Sequence, residues 1–555
     1  MTDAHATPVS PAHDPLAESD SGVVANDMPL PAVVEEVTDQ LVQDLAGESP
    51  QASVVSPLTS STTEPGESSA GVEAAPDIPA MLAQVRALRK EGKQTEALAL
   101  AFQAAQLAPQ NPDPLLLMGV TLLSLRKHAE ALAAFERACE LQPTSSIAWL
   151  NRGAALSALR RFPEAVEALD RSLALDPTNA LTWNNKAVAL DSLKRYAEAL
   201  AMVDEALQRN PQFTLGWITK SGIFANLQQF PESVLASDQA LALEPNSANV
   251  SLWVNRSAAL SKLGHSDEAL AAADRALALN AQSLMAWLCR SSALSGLRRY
   301  QDMLRATEEA LKLDPENASA LTNQSAALIG LRRYERAIVV ANRALERDHN
   351  PVMALANKAN ALHALHRDPE ALAAVNQALQ IAPQSASLLS SKAAILHSLK
   401  RNEEAFAVID QALTLNERSP AAWNNRCAIL LSLKQFEEAL VSAERAMALS
   451  PNAAIAWNNR GMALLRLRRR REAREAFDHA LALNPRLAAA RRNKQATSPI
   501  PYFVYLPLAL AFTSALVVAL FQQVAQREDS TAVGLGFAIG LALGTLCGWV
   551  LFSQM

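Results

Sequence analysis

Residues 421–451 read AAWNNRCAILLSLKQFEEALVSAERAMALSP, and residues 454–485 read AIAWNNRGMALLRLRRRREAREAFDHALALNP. Overlaid at an offset of 34 residues, they set Trp423 on Trp457, Ala439 on Ala473, Ala446 on Ala480 and Pro451 on Pro485. A fixed period of this length is the signature of a solenoid, because each unit can bury its apolar face only against its neighbours.

Working outward, there are twelve units, starting near residues 78, 112, 146, 180, 214, 250, 284, 318, 352, 386, 420 and 454. A two-residue insertion near Asn249 and Val250 shifts the phase once. Each unit has an apolar run at helical spacing, a break, and a second such run that in many units closes on Pro. Trp holds the fourth position in seven units (Trp149, Trp183, Trp217, Trp253, Trp287, Trp423, Trp457). Four residues on stands a small side chain, such as Gly153, Ala187, Ser257 or Gly461, where two helices must come close. Ala recurs at the twentieth and twenty-seventh positions.

This pattern resembles the tetratricopeptide repeat over residues 78–487. The resemblance implies an all-α fold, a right-handed superhelical solenoid of about twelve helix pairs. Ala281, His349 and Glu417 depart from the closing Pro, the first two units lack Trp, and Arg or Lys often takes the usual turn glycine.

Charge is unevenly spread. Residues 1–78 hold fourteen Asp and Glu and no Lys or Arg, so the other 42 acids face all 50 bases and residues 79–555 carry a net +8. Residues 1–77 are also rich in Pro, Ser and Ala, a composition that predicts a disordered acidic tail. Within it, Val34, Val37, Leu41 and Leu45 share one helical face. The tail lacks the basic start and apolar run of a secretory signal, so a cytosolic setting is expected for the repeats. The four cysteines are scattered with no C-x-x-C pair, which argues against disulfide or zinc frameworks.

Residues 488–501 read as a basic cap and linker, and two uncharged runs then cover 502–521 and 531–552. Each is long enough to span a bilayer core as a helix. Arg486, Arg491, Arg492 and Lys494 precede the first run, which by the positive-inside rule sets the repeats and the C-terminus in the cytoplasm. The expected setting is a two-span membrane protein, in the bacterial inner membrane given 37 Arg to 13 Lys and abundant Ala. Gly536, Gly540, Gly544 and Gly548 recur every four residues in the second run, and Ala511, Ala515 and Ala519 in the first. Small residues at that spacing let another helix approach closely, which serves either hairpin closure or homo-oligomer packing.

The candidate ligand-binding residues are the sixth-position asparagines Asn151, Asn185, Asn255, Asn323, Asn357, Asn425 and Asn459. An amide matches both the N–H and the C=O of an extended peptide. The resemblance places this position on the first helix of each pair, facing the concave groove, like the asparagine ladder of O-linked N-acetylglucosamine transferases. The Lys and Asn clamp of chaperone-binding members is not visible, since Leu150, Ala154, Ser157, Ile218, Gly222 and Ala225 occupy such groove positions.

A basic ridge at the turn inside each unit (Arg160-Arg161, Lys194-Arg195, Arg298-Arg299, Arg332-Arg333, Lys400-Arg401, Arg468 to Arg471) reads as helix C-terminal charge. Arg468 to Lys494 is the candidate contact for anionic lipid. The ridge lacks stacking aromatics, so no nucleic-acid partner is expected. His363, His397 and His366 lack a third ligand for a metal. No nucleophile–base set or phosphate loop is present, so neither an enzyme nor a cofactor is expected.

Together these features read as a membrane-anchored scaffold that binds extended segments of other proteins, for assembly or recruitment at a membrane. A transport or secretion component with a functional hairpin, and a substrate-presenting accessory to a separate transferase, are the alternatives.

Overall fold

The computed structural model describes residues 77–347 and 351–497, with Ala515 and Ala519. These residues contain twenty-five helices and no strand. Twelve pairs, each a thirteen-residue first helix and a fourteen-residue second helix, begin at the twelve expected positions from Ile78 to Ala454. The helix Ala488–Gln495 comes after the last pair. The chain divides at Pro383 and Gln384 into two compact units. The first holds nine repeats, and the second holds three and the closing helix.

Short side chains set where the first helices start. Ser145, Asn179, Asn249, Ser283, Asn317, Ser385 and Ser419 each accept a hydrogen bond from the backbone N–H three residues on. That satisfies a donor the helix leaves open at its start. The insertion in the fifth repeat is absorbed ahead of Val250, where the Ser247 Oγ accepts from Asn249 N at 3.3 Å.

The turns inside the repeats carry a repeated strain. Arg126, Arg160, Lys194, Gln228, Arg298, Arg332, His366, Lys400, Lys434 and Arg468 all have φ between 55° and 64°. The next N–H closes the turn, as when Arg161 N donates to Leu156 O at 2.9 Å. Glycine adopts this left-handed backbone without steric cost, and among the described residues only Gly92 and Gly264 do so. We expect Lys194→Gly or Arg160→Gly to stabilise the protein by about 0.5–1 kcal/mol each, the relief of the turn exceeding glycine's entropy. Urea denaturation checks this, with Gly264→Arg losing a like amount.

The core is a set of matched volumes between the eighth position of the first helix and the twenty-fourth of the second. Phe135 and Phe477, both 0% exposed, stand against Gly119 and Gly461. A Cβ on either glycine would lie 2.5 Å from the facing ring's Cε1. Where the eighth residue is larger, the partner shrinks: Ala187 with Val203, Ser257 with Ala273, Val85 with Ala101. The fifth repeat fills the site with Ser221, Ser233 and Ser237, whose hydroxyls bond to one another and to backbone at 2.8–3.2 Å.

Within each unit, two ladders tie many of the repeats to the one before. Every fourth-position Trp donates its indole N–H to the carbonyl six residues back, at 2.8–3.2 Å. The acceptor belongs to Pro143, Pro177, Pro211, Ser247, Ala281, Glu417 or Pro451, so the carbonyl and not the ring is what the Trp needs. The second ladder joins a cation at the seventh position to an acid earlier in the chain, in most rungs sixteen residues back. Its rungs are Arg152–Glu136, Lys186–Asp170, Lys220–Asp204, Arg256–Asp238, Arg290–Asp274, Arg426–Asp410, Arg460–Glu444 and Lys494–Asp478. Arg152, Lys220, Arg290 and Arg426 also lie over Trp rings, at 5.2–5.8 Å from the centroids.

Among the described residues no helix is long and apolar enough to cross a membrane. The runs 502–521 and 531–552, with Ala511, Gly536, Gly540, Gly544 and Gly548, lie outside the described residues. Of the small residues in them, Ala515 and Ala519 are described as helical and exposed.

Candidate functional site

The sixth-position side chains lie where one first helix adjoins the next, and most of them spend their amide there. Asn255 Nδ2 donates to Ile218 O at 3.3 Å, and Asn357 Nδ2 to Thr322 O at 3.1 Å and Ser325 Oγ at 2.8 Å. Asn323 Nδ2 reaches Ser291 Oγ at 2.9 Å. In the second unit, Asn425 Nδ2 donates to Ser390 Oγ at 3.1 Å, and Asn459 to Asn424 Oδ1 at 3.2 Å. Asn493 continues the series onto Asn458 Oδ1 at 3.0 Å, and Cys289 repeats it with sulfur, Sγ lying 3.8 Å from Val254 O. The register is constant: position six of one repeat reaches back to position five or eight of the repeat before.

The series is open in the third to fifth repeats. Asn151 turns its Nδ2 back to Ile147 O of its own helix at 3.0 Å, and its buried Oδ1 has no partner. Asn185, 5% exposed, has neither amide atom bonded. By register its facing residue is Leu150, apolar like the Ile218 whose backbone oxygen Asn255 reaches. Thr219 faces Asn184, and here the Thr219 hydroxyl and both Asn184 amide atoms are buried without a partner. Asn184 is 0% exposed. Two turns along the same helix, Asp191 accepts from Asn226 Nδ2 at 3.0 Å through each carboxylate oxygen. Burial pushes the Asp191 carboxyl up to about 6, against the pull of that hydrogen bond.

The seven predicted asparagines thus do not act alike. Asn255, Asn323, Asn357, Asn425 and Asn459 clip neighbouring repeats, whereas Asn151 and Asn185 do not, and Asn151, Asn185 and Asn255 each keep an unpaired amide atom. Asn184 and Thr219 escape a reading of the sequence that looks for recurrence at position six. What exposes them is the residue each one faces in the neighbouring repeat.

The other candidates resolve into packing. The second base of most turns is paired with the acid three residues on, as in the bidentate Arg195–Glu198 and Arg401–Glu404 contacts at 2.6–2.7 Å. His363 Nδ1 lies 2.6 Å from Asp368 Oδ1, and His397 Nδ1 lies 2.9 Å from Asn402 Oδ1, each holding its own repeat's turn. Among the described residues no group of three or more His, Cys, Asp or Glu is placed to hold a metal ion. Cys139, Cys289 and Cys427 are buried, which raises their thiols to about 11, 12 and 12. An open crevice of about 430 Å³ is lined by Glu444, Met447, Ala448, Pro451, Trp457 and Arg460, and it holds none of the unpaired groups.

Tetratricopeptide repeat profiles match residues 116–180, 152–212, 288–351 and 324–386, and also 250–283 and 454–487. No curated protein matches the chain in sequence. Similar solved structures include the APC/C hetero-tetramer Cut9-Hcn1, at 12% identity over 77% of this chain and 97% of that one, with a TM-score of 0.46. A tetratricopeptide repeat protein from Parabacteroides merdae is similar at 21% identity over 45% of this chain and 98% of that one, TM-score 0.38. Yeast Tom70 is similar at 16% identity over 82% and 98%, TM-score 0.36. The chain carries tetratricopeptide repeats, and its described fold is an all-α solenoid.

Proposed function

We propose that the chain is a scaffold that binds extended segments of other proteins along its row of first helices, and that it does so anchored to a membrane. The observation that carries the binding half is the stack of tetratricopeptide helix pairs itself, which lines up twelve first helices in a row within its two units. The anchor rests on the uncharged runs 502–521 and 531–552. With basic residues before the first run, the repeats and the C-terminus face the cytoplasm.

Anionic lipid contact fits the end of the second unit. Arg468, Arg470, Arg474, Arg486 and Arg492 are exposed there, while Arg469 and Lys494 are paired to Glu472 and Asp478. The glycines from Gly536 to Gly548 suit close packing of the hairpin on itself or on a second copy. Nothing in this reading calls for catalysis.

Crosslinking-coupled affinity purification of the full chain from membranes tests the reading. The expected result is a set of partner proteins crosslinked to first-helix residues. Crosslinks confined to second helices, or recovery that depends only on residues 502–552, would overturn it. Replacing 502–552 by an unrelated two-span anchor should leave partner capture intact, and its loss would favour a transport component.

A further inference from the structure

We propose that the chain's own acidic segment, residues 33–48, docks on the edge formed by the turns inside the second, third and fourth repeats. The occupant belongs to the same chain, so the docking is independent of any partner that the scaffold holds.

The edge carries more positive charge than it neutralises. At each of these turns the second base is paired three residues on, Lys127 with Glu130, Arg161 with Glu164 and Arg195 with Glu198. The base before it is exposed in all three turns, as Arg126, Arg160 and Lys194. Neither Arg160 nor Lys194 has an ion pair among the described residues. Both hold φ near 60°, where glycine costs less, so the backbone gives no reason for a long basic side chain. The helix dipole favours a cation there, but supplies no counter-ion. Beside these bases Leu125, Leu159 and Leu193 are half-buried, so cations alternate with apolar surface along the edge. In the next two repeats Gln228 and Gly264 stand at the base's position, and the row ends.

The complement of this edge is written in the chain ahead of the first repeat. Residues 1–76 hold thirteen Asp and Glu and no Lys or Arg, and five of those acids fall within 33–48. Wound as a helix, that segment would present Val34, Val37, Leu41 and Leu45 as an apolar stripe. Glu35 and Asp39 would flank the stripe on one side, and Asp44 and Glu48 on the other. Sixteen helical residues measure about 24 Å, enough to cover the roughly 16–20 Å across three stacked repeats. The reach also fits. Residues 49–76, rich in Ser, Pro and Gly, would span about 30 Å on average. The third turn of the stack lies about 25–30 Å from the start of the first helix at Ile78, one helix length along and two repeats across. Exposed ion pairs are individually weak, so the docking draws on their number and on a tether that keeps the segment at roughly millimolar concentration.

Amide hydrogen exchange of the full chain, read by mass spectrometry over residues 33–48, tests the docking. In about 10 mM salt, exchange there should be about fivefold or more slower than in a free synthetic peptide of the same sequence. About 1 M sodium chloride should remove most of that difference. Arg160→Glu with Lys194→Glu should release the segment, and Glu35→Lys with Asp39→Lys added to that protein should restore protection. Arg160→Gly with Lys194→Gly guards against misfolding: it relieves both turns, so the segment should be released while the melting temperature holds or rises. Free exchange over 33–48 in the wild type, or protection that survives both turn variants, overturns the proposal. Protection that grows with protein concentration assigns the edge to a second copy and overturns it as well. So does binding to phosphatidylserine vesicles that is lost in the Arg160→Glu, Lys194→Glu protein while exchange over 33–48 is unchanged.

Discussion

Phe135→Ala is expected to destabilise the protein by about 3–5 kcal/mol, and Gly119→Val added to it is expected to restore part of that loss. Phe135 is 0% exposed and packs in a cluster with Leu116, Val120, Leu132 and Ala165. Removing the ring deletes its transfer free energy and leaves a cavity that two fixed helices cannot close. Gly119→Val alone should also destabilise, by about 1–3 kcal/mol, because its Cβ would meet the ring at 2.5 Å. The first repeat already uses the combined solution, with Val85 opposite Ala101, both 0% exposed. Two mutations harmful singly should therefore compensate as a pair, and a double-mutant cycle by urea denaturation reads the coupling. Additive losses would show that the volumes at positions eight and twenty-four are matched by chance. In a solenoid the effect is local, so hydrogen exchange should rise first in the helices Pro112–Ser124 and His128–Leu141 and in the pairs beside them.

The twelve helix starts and the two-residue slip at Asn249 are legible in the sequence because they are local. Capping residues, apolar periodicity and turn bases all lie within one unit. The small eighth residue is legible as a close approach, although its trade of volume with position twenty-four is not. The salt-bridge ladder is equally present in the sequence, as an acid sixteen residues before a base, from Glu136–Arg152 to Asp478–Lys494. It escapes notice because sixteen residues is no spacing of a single helix; the pair meets only when repeats stack. The asparagines show the same limit at the site. Asn185 and Asn357 hold the same position in their repeats, yet Asn357 finds Thr322 O and Ser325 Oγ while Asn185 finds neither. Whether each finds a partner depends on a neighbouring helix more than thirty residues away in the sequence. Residues 502–552 lie, but for Ala515 and Ala519, outside the described residues, and the anchor there stands as proposed from composition alone.

Asp191→Asn is expected to stabilise the protein at neutral pH by as much as about 3 kcal/mol and to flatten one part of its pH dependence. The Asp191 carboxyl is raised from 3.8 to about 6, chiefly by burial. The folded protein therefore holds this proton more tightly than the unfolded chain. Its contribution to stability is complete below about pH 4, declines as pH rises from about 4 to 6, and stays lost above that. The exposed carboxylates act oppositely. Glu164, Glu198 and Glu404 are lowered by hydrogen bonds from Arg161, Arg195 and Arg401, so their contribution is lost as the solution is acidified. The two trends oppose each other in the wild-type protein, and the difference between wild type and Asp191→Asn isolates the buried group. That difference should be near zero at about pH 4, grow to its full value by about pH 6.5, and remain constant to about pH 8. Asn at this site still offers one oxygen to Asn226 Nδ2, so the hydrogen bond across the two first helices is reduced and not abolished. The neighbouring Tyr196 hydroxyl, raised by burial and then by the Asp191 charge, titrates well above this window. Chemical denaturation at half-unit pH steps measures the curve, and a difference that does not change between about pH 4 and 6.5 would mean that water reaches Asp191 freely.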